Sequence, residues 1–407
     1  MTMHIEQVGQ LMESFPLLAP PRTAAPAPAP TPNEVWQLPG GTAWVYYGVR
    51  HSGLVRPVIL SDGYNLGPSE LDPLWDSLEH RNFPFATELL RRGQDLIILG
   101  FDDRSASIMR NAEAAIATIQ RAKTERQSDE RLVVGGFSMG GLVTRYALAK
   151  MEADRQDHQT SIYLSFDTPH RGAWVPIGLQ ALAHFLRRAF VTGPSEQINS
   201  PAARQLLWRH ISDVDGVPAP DPMRTEFLDA LRRVGSWPNM PRKLGVANGN
   251  GDGYGNGLPA DVPAVEVTAG LFAKTLLQTQ SCGDERLVAR LRLGLPGGTP
   301  VERLIHTSGV AELDGAPGGT LESFGIAGEA LRKALNVTTV HHRSVCFVPA
   351  VSAVAIRDLD LQDDVYVDVR GLPPEQSELD EFALADTNQE HCGMSEELAL
   401  WILDRLA

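Results

Sequence analysis

The most constraining feature of the sequence is a pentapeptide, Gly136-Phe137-Ser138-Met139-Gly140, between a short apolar run and a segment with helical spacing. Glycine on both sides of the serine permits a turn too tight for larger side chains, and such a turn projects the hydroxyl from the end of a strand. The first amides of the following helix would face a developing negative charge. The pattern predicts a nucleophilic Ser138; a βα turn with only a packing role is the alternative.

Short apolar runs alternate with helical periods on both sides of this turn, which is typical of a parallel sheet covered by helices on both faces. The sequence therefore predicts an α/β fold with a doubly wound, mostly parallel sheet, a helical cap and a β-rich insertion. The predicted core strands are residues 43–49, 57–60, 96–101, 132–134, 162–166, 243–247 and 345–354.

The chain divides by composition. Proline and alanine alternate over residues 20–32, which predicts an extended tether, and large apolar residues with helical spacing interrupt the core pattern after residue 173. The predicted organisation is an N-terminal segment with the tether (1–34), the first part of the core (35–173), a helical cap (174–240), a core strand with an acid loop (241–254), a β-rich insertion (255–344) and the C-terminal part of the core (345–407).

Charge and cysteine content limit the cellular compartment and the binding partners that we expect for this chain. With 36 basic and 50 acidic side chains, the formal net charge is −14, which argues against nucleic-acid binding. Three cysteines (Cys282, Cys346 and Cys392) form an odd, sparse set that indicates reduced thiols. We find no apolar run long enough to span a membrane and no secretory signal pattern, so we expect a cytoplasmic protein, with secretion left open.

A nucleophilic serine needs a base, and chain order favours His391. His391 lies in a polar loop between the predicted last core strand and the terminal helix, where the histidine of such a site belongs. His170 is the main alternative. It follows the strand next after that of the nucleophile, too early in this order, so we interpret it as part of the loop architecture near the pocket.

The acid that would orient His391 is predicted to be Asp252, in a glycine-rich turn after the strand at 243–247. Asp380 and Asp386, a few residues before the histidine, stay open as alternatives. The glycine-rich turn also matches the first half of a calcium-binding EF-hand loop, but its twelfth position is Pro259 rather than glutamate. We therefore predict no metal site.

An oxyanion hole requires two backbone amides. The amide of Met139 is one predicted donor, and the amide of Tyr64, which follows Gly63 after an early strand, is the other. An ordinary βα turn is the alternative for this second segment.

Three segments resemble lipase-like serine esterases of the α/β-hydrolase superfamily: the sequence Gly-Phe-Ser-Met-Gly-Gly-Leu-Val-Thr-Arg-Tyr around Ser138, the sequence Phe-Asp-Thr-Pro-His-Arg-Gly-Ala at 166–173, and the late histidine. The resemblance implies acyl transfer from an ester or thioester through an acyl-enzyme, no cofactor, and a helical cap over the pocket. Such lipases usually carry His-Gly in the oxyanion loop, where this chain has Asp62-Gly63.

These features predict a serine hydrolase acting on a small-molecule or lipid-like acyl substrate, and the large apolar residues of the cap favour a hydrophobic acyl group. Two alternatives stay open: an acyltransferase or thioesterase-like cyclase that uses the same residues, and a non-catalytic binding protein on a hydrolase scaffold. The sequence does not predict the oligomeric state.

Overall fold

The computed structural model describes residues 17–19, 25–269, 273–294, 299–335 and 337–406. Its strands are β1 Glu34–Leu38, β2 Gly41–Tyr46, β3 Pro57–Ser61, β4 Asp95–Phe101, β5 Leu132–Phe137, β6 Thr160–Phe166, β7 Arg242–Ala247, β8 Pro263–Ala269, β9 Ala273–Gln278, β10 Arg286–Leu293, β11 Val301–Thr307, β12 Gly318–Leu321, β13 Thr338–Val340, β14 Val345–Pro349 and β15 Glu381–Leu384. Its α-helices are α1 Leu71–Glu79, α2 Phe85–Arg91, α3 Ile108–Glu125, α4 Met139–Ala153, α5 Ile177–Leu186, α6 Gly193–Ile198, α7 Pro201–Leu206, α8 Pro222–Arg233, α9 Ser323–Leu335, α10 Ala350–Ala353, α11 Gln362–Val365 and α12 Glu396–Arg405.

Eight strands form the main sheet in the order β1-β2-β4-β3-β5-β6-β7-β15. From β4 to β15 the neighbouring strands run parallel, and β1 and β2 add an antiparallel edge. Every residue of β3 and β4 is buried, which explains why both segments are continuous apolar runs instead of alternating ones. The predicted α/β architecture with a mostly parallel sheet is confirmed.

The register of the central strands aligns their carboxyl ends. Ser61 at the end of β3 pairs with Gly136 in β5, Phe137 pairs with Phe166 in β6, and Phe166 pairs with Val246 in β7. Residues that directly follow these strands therefore meet at one edge of the sheet, which is where open α/β sheets build their sites.

Helices cover both faces of the main sheet. Buried side chains of α1, α2 and α12, such as Trp75, Phe85 and Ile402, pack with residues of the central strands on one face. Helices α3 and α4 cover the other face, and the predicted apolar side of α3 is the side that is buried. At its start, the Ser107 hydroxyl accepts a hydrogen bond from the Arg110 N–H, a typical N-cap.

The predicted helical cap and β-rich insertion are both present, and they pack on each other. Helices α5 to α8 form the cap, and the insertion folds as a separate antiparallel sheet in the order β11-β10-β9-β8-β13. Helix α5 contacts β9, β10 and β11. The approach is close, because a Cβ added at Gly178 would lie 2.6 Å from the Val288 carbonyl oxygen. Residues 177–186 thus lie against the insertion sheet.

Two parts of the predicted organisation differ. The segment at 345–354 is not a strand of the main sheet: among the strands that the structure describes, β14 pairs only with β12, and the chain then enters α10. The last strand of the main sheet is β15, parallel to β7. Within the predicted N-terminal segment, residues 1–16 and 20–24 lie outside the described residues. No helix in the described ranges combines the length and apolar character needed to cross a bilayer.

Candidate active site

Ser138 lies in the sharp turn between β5 and α4, with φ of +51° and ψ of −120°. This left-handed conformation is strained for a residue with a side chain. The flanking glycines are sterically required: a Cβ at Gly136 would lie 2.5 Å from the backbone carbon of Gly140, and one at Gly140 would lie 2.4 Å from the Ser61 carbonyl oxygen. The Ser138 N–H donates to the Phe166 carbonyl at 2.9 Å, which fixes the turn against β6.

His391 is buried and pairs with an aspartate that directly follows β6. Its Nδ1 lies 2.6 Å from Oδ2 of Asp167, a fully buried carboxylate. Because a carboxylate only accepts hydrogen bonds, Nδ1 of His391 is the donor in this pair. The ring of Phe347 contacts the imidazole edge-on with centroids 4.9 Å apart, and the His391 N–H donates to the Thr320 carbonyl.

Asp167 is itself held in place by its neighbours. Its N–H donates to the Val246 carbonyl at 2.7 Å, and its Oδ1 accepts from the Asn248 N–H at 3.0 Å. A Cβ at Gly319 in β12 would lie 2.0 Å from Asp167 Oδ2, so only glycine leaves room for the carboxylate at this position. Both carboxylate oxygens are thereby directed, one toward the loop after β7 and the other toward His391.

Cys392 connects the histidine loop to the serine turn. Its Sγ lies 3.9 Å from the Phe166 carbonyl oxygen, the same atom that accepts from the Ser138 N–H. The thiol also lies 3.5 Å from Nε2 of His391, and burial raises its pKa well above the usual value. No hydrogen bond between Ser138 Oγ and His391 is present among the described residues. In unliganded enzymes such bonds are often long and tighten only when substrate binds.

The predicted oxyanion loop lies against the serine turn. A Cβ at Gly63 would lie 3.3 Å from the Phe137 carbonyl oxygen and 3.4 Å from Ser138 Cβ. Within the described part of the chain, neither the Tyr64 N–H nor the Met139 N–H donates to a protein acceptor. An oxyanion hole is built from backbone amides that are available to donate.

Asp62, which directly precedes Gly63, holds this loop. Its Oδ1 accepts from the Gly63 N–H at 2.7 Å, and its Oδ2 accepts from the Ser69 hydroxyl at 2.7 Å. The Arg104 guanidinium lies 3.6 Å from the same carboxylate. Burial raises the pKa of Asp62, and Arg104 and the hydrogen bonds oppose that rise. The carboxylate thus serves to brace the loop.

The contact predicted between Asp252 and His391 is corrected by the structure. Asp252 is exposed, and its Oδ1 accepts from the Tyr254 N–H at 3.0 Å. The two alternatives are engaged elsewhere as well: Asp380 accepts from the Lys243 N–H, and Asp386 faces Arg370. The glycine-rich turn after β7 contributes Asn248, which supports Asp167, and does not supply the acid.

His170 does not join this site. Its Nε2 lies 3.1 Å from the Ser165 hydroxyl, its Nδ1 lies 3.3 Å from Arg145, and its ring packs on Trp237. Burial and the adjacent arginine hold the pKa of His170 well below its usual value, so the ring is neutral. It supports the loop after β6, as the sequence analysis interprets it.

Asp167, the carboxylate that pairs with His391, was not among the acids predicted from the sequence, although a signal was present. It follows β6 directly in Phe166-Asp167-Thr168, and it precedes His391 in the required order of serine, acid and histidine. Among the described residues, no group of three or more His, Cys, Asp or Glu side chains could hold a metal ion.

The mostly parallel sheet has the architecture expected of an α/β-hydrolase, and the predicted resemblance to serine esterases is confirmed by a family match over part of the chain. Residues 100–183 match a family whose description reads "Putative serine esterase (DUF676)". That stretch contains Ser138 and Asp167, and it ends before His391. The match supports ester hydrolysis as the chemistry of this site. A search of curated protein sequences finds no match.

Solved structures of a lipase and of esterases align with parts of this chain at low identity and low TM-score. The mature Bacillus licheniformis lipase BlEst2 is 14% identical over 51% of this chain and 72% of its own, with a TM-score of 0.33. Est1E from Butyrivibrio proteoclasticus is 16% identical over 35% of this chain and 51% of its own, with a TM-score of 0.25. The Pyrobaculum calidifontis esterase is 12% identical over 60% of this chain and 74% of its own, with a TM-score of 0.33. A likeness of this degree carries no argument about substrate.

Proposed function

We propose that this chain is a serine hydrolase that cleaves carboxylic esters through a Ser138–His391–Asp167 triad. The observation that carries the proposal is the buried Asp167–His391 hydrogen bond at the sheet edge where the strained Ser138 turn lies. A strained serine, an imidazole bound to a carboxylate through Nδ1, and that buried carboxylate are the three parts of nucleophilic acyl transfer.

In the proposed reaction, Ser138 Oγ attacks the carbonyl carbon of the ester while His391 Nε2 takes the hydroxyl proton. The amides of Met139 and Tyr64 stabilise the resulting oxyanion. Collapse breaks the bond to the alkoxy oxygen, which leaves with the proton from His391, and the acyl group stays on the serine. Water, activated by the same imidazole, then hydrolyses the acyl-enzyme and restores the hydroxyl.

Asp167 would act through the imidazole and would not touch the substrate. By accepting from Nδ1 it holds the tautomer whose Nε2 is a base, and it stabilises the imidazolium that forms during attack. The Asn248 N–H on its other oxygen keeps the carboxylate oriented. The large apolar side chains of the cap favour a substrate with a hydrophobic acyl group.

A fluorophosphonate probe tests the proposal, because it reacts with serines that a neighbouring base activates. We expect one adduct, located on Ser138 by peptide mass mapping, and no adduct in Ser138→Ala. Ser352, buried and hydrogen-bonded to the Gly172 carbonyl, is the matched control, and Ser352→Ala should label normally. Failure of folded wild-type protein to label, or labelling that persists in Ser138→Ala, would overturn the proposal.

A further inference from the structure

A short segment before the Pro/Ala-rich tether is buried. Leu17 is 1% exposed and Leu18 is 2% exposed. The Leu17 N–H donates to the side-chain oxygen of Gln197, a residue of α6 in the cap. The two leucines are therefore buried where the chain contacts the cap.

That site adjoins the oxyanion loop. The Tyr64 hydroxyl donates to the backbone carbonyl of Gln197 and lies 3.1 Å from the Ser200 hydroxyl. Gln197 thus contacts Tyr64 through its backbone and Leu17 through its side chain. Tyr64 directly follows Gly63, which packs on Ser138. A single tyrosine side chain connects the serine turn to the place where the leucines insert.

The surrounding contacts confirm that this part of the cap lies at the carboxyl end of the main sheet. The Ala202 N–H of α7 donates to the Ser105 carbonyl, and the Gln205 side-chain oxygen accepts from the Ile108 N–H. Both partners lie just after β4.

We propose that Leu17 and Leu18 occupy the acyl-binding site, and that an aliphatic acyl chain takes the same apolar space by displacing them. This inference rests on the proposed function. The two leucines insert at Gln197, the residue that the hydroxyl of Tyr64 also contacts, and the amide of Tyr64 is the predicted oxyanion donor. Because displacement must replace the apolar contacts of both leucines, the site favours acyl chains of about eight carbons over acetyl groups.

A cysteine at position 18 of the full chain tests this directly. Leu18→Cys is treated with a fluorophosphonate that carries either an octyl chain or a methyl group, and the maleimide reaction rate at position 18 is then followed by peptide mapping. The octyl adduct should raise that rate by about tenfold or more, because it expels the segment, and the methyl adduct should not. Cys282, exposed in the insertion, is the internal reference whose rate stays constant.

The outcomes separate the two proposals. An octyl adduct on Ser138 that leaves position 18 protected overturns the acyl-site inference and leaves the proposed function intact. Absence of both adducts overturns the proposed function and the inference together.

Steady-state kinetics supply a second measurement. Leu17→Asp combined with Leu18→Asp should empty the site and raise kcat/KM for an octanoyl ester by about tenfold, because the competent state is no longer blocked. The acetyl ester should change by no more than about twofold. Leu361→Asp, at a 63% exposed leucine, is the control and should change neither. Equal loss of activity on both esters, in protein that melts normally, would contradict the inference.

Discussion

The main sheet and the insertion sheet differ in how their strands are buried. Strands β3 and β4 are buried along their whole length, whereas β11 alternates between buried and exposed positions, with Ile305 buried and Leu304 exposed. The main sheet is covered by helices on both faces, and its parallel strands end together at one edge. The insertion sheet packs on α5 with one face and exposes the other.

The two sheets also differ in their proposed roles: the main sheet carries the proposed triad, and the insertion sheet supports the cap. Ser138 and Asp167 directly follow neighbouring strands of the main sheet, and His391 follows its last strand, whereas no member of the proposed triad comes from the insertion. We expect changes in the main sheet edge to alter the rate of the chemical step. Changes in the insertion should act through stability and through the cap that it supports.

The largest expected effect comes from the acid. Asp167→Asn preserves the size of the side chain but favours the wrong imidazole tautomer, so kcat on a short-chain ester should fall by about 10⁴. Asp252→Asn is the matched control and should lie within about twofold of wild type, because that side chain is exposed. A larger loss of kcat in Asp252→Asn than in Asp167→Asn would indicate that Asp252, in the turn after β7, is the acid.

A pair of glycine substitutions compares the two regions directly. Gly140→Ala would place a Cβ 2.4 Å from the Ser61 carbonyl oxygen, and Gly178→Ala would place one 2.6 Å from the Val288 carbonyl oxygen. Both should destabilise the protein by about 1–3 kcal/mol, measured by urea unfolding. Only Gly140→Ala should also reduce kcat, by about 10² or more, because it shifts the oxyanion loop. Equal kcat values in the two variants would contradict the proposed difference between the edge of the main sheet and the insertion.

A core truncation in the insertion sharpens the same comparison. Leu291 in β10 is fully buried, so Leu291→Ala should lower the free energy of unfolding by about 2–5 kcal/mol. Its kcat for an acetyl ester should stay near that of wild type. Leu304→Ala, on the exposed face of the neighbouring strand, is the control and should change stability by about 0.5 kcal/mol or less. Loss of kcat in folded Leu291→Ala would show that the insertion shapes the chemical step.

The smallest expected effect is a pH dependence of stability that comes from Asp314, which contacts both the cap and the insertion. Asp314 accepts from Trp174 Nε1–H at the start of the cap and from the Gln280 N–H after β9. Burial raises the pKa of Asp314 to about 6. The folded state therefore binds this proton more tightly than the unfolded state, so the contribution of Asp314 to stability declines as the pH rises from about 4 to 6.

Urea unfolding of wild type and Asp314→Asn at about pH 5 and pH 7.5 measures the pH-dependent contribution of Asp314 to the free energy of unfolding. The stability of Asp314→Asn relative to wild type should increase by about 1.4 kcal/mol at the higher pH. Asp386→Asn, an exposed carboxylate, should show no such change. A difference between wild type and Asp314→Asn that stays constant with pH would contradict the raised pKa.

The serine turn could be predicted because it is local. Its glycines, its strand and its helix are adjacent in sequence, and each is required by contacts within that unit or with β3. The acid could not be assigned in the same way. Asp167 and Asp252 both follow strands that end at the same sheet edge, and only the register of β6 and β7 decides which side chain reaches His391.

The last strand was missed for a related reason. Residues 345–349 are all buried and apolar, so their sequence is indistinguishable from that of a central parallel strand, although β14 pairs only with β12. The strand that completes the main sheet, β15, is four residues long, half-buried and begins with Glu381. Short edge strands carry weak periodicity, and tertiary pairing with β7 determines their structure.

The most direct test of the central claim is a double-mutant cycle on kcat with His391→Ala, Asp167→Asn and the combined variant. If the carboxylate works only through the imidazole, the combined variant loses no more activity than His391→Ala alone. If the two losses multiply, Asp167 and His391 act independently, and the proposed triad is contradicted.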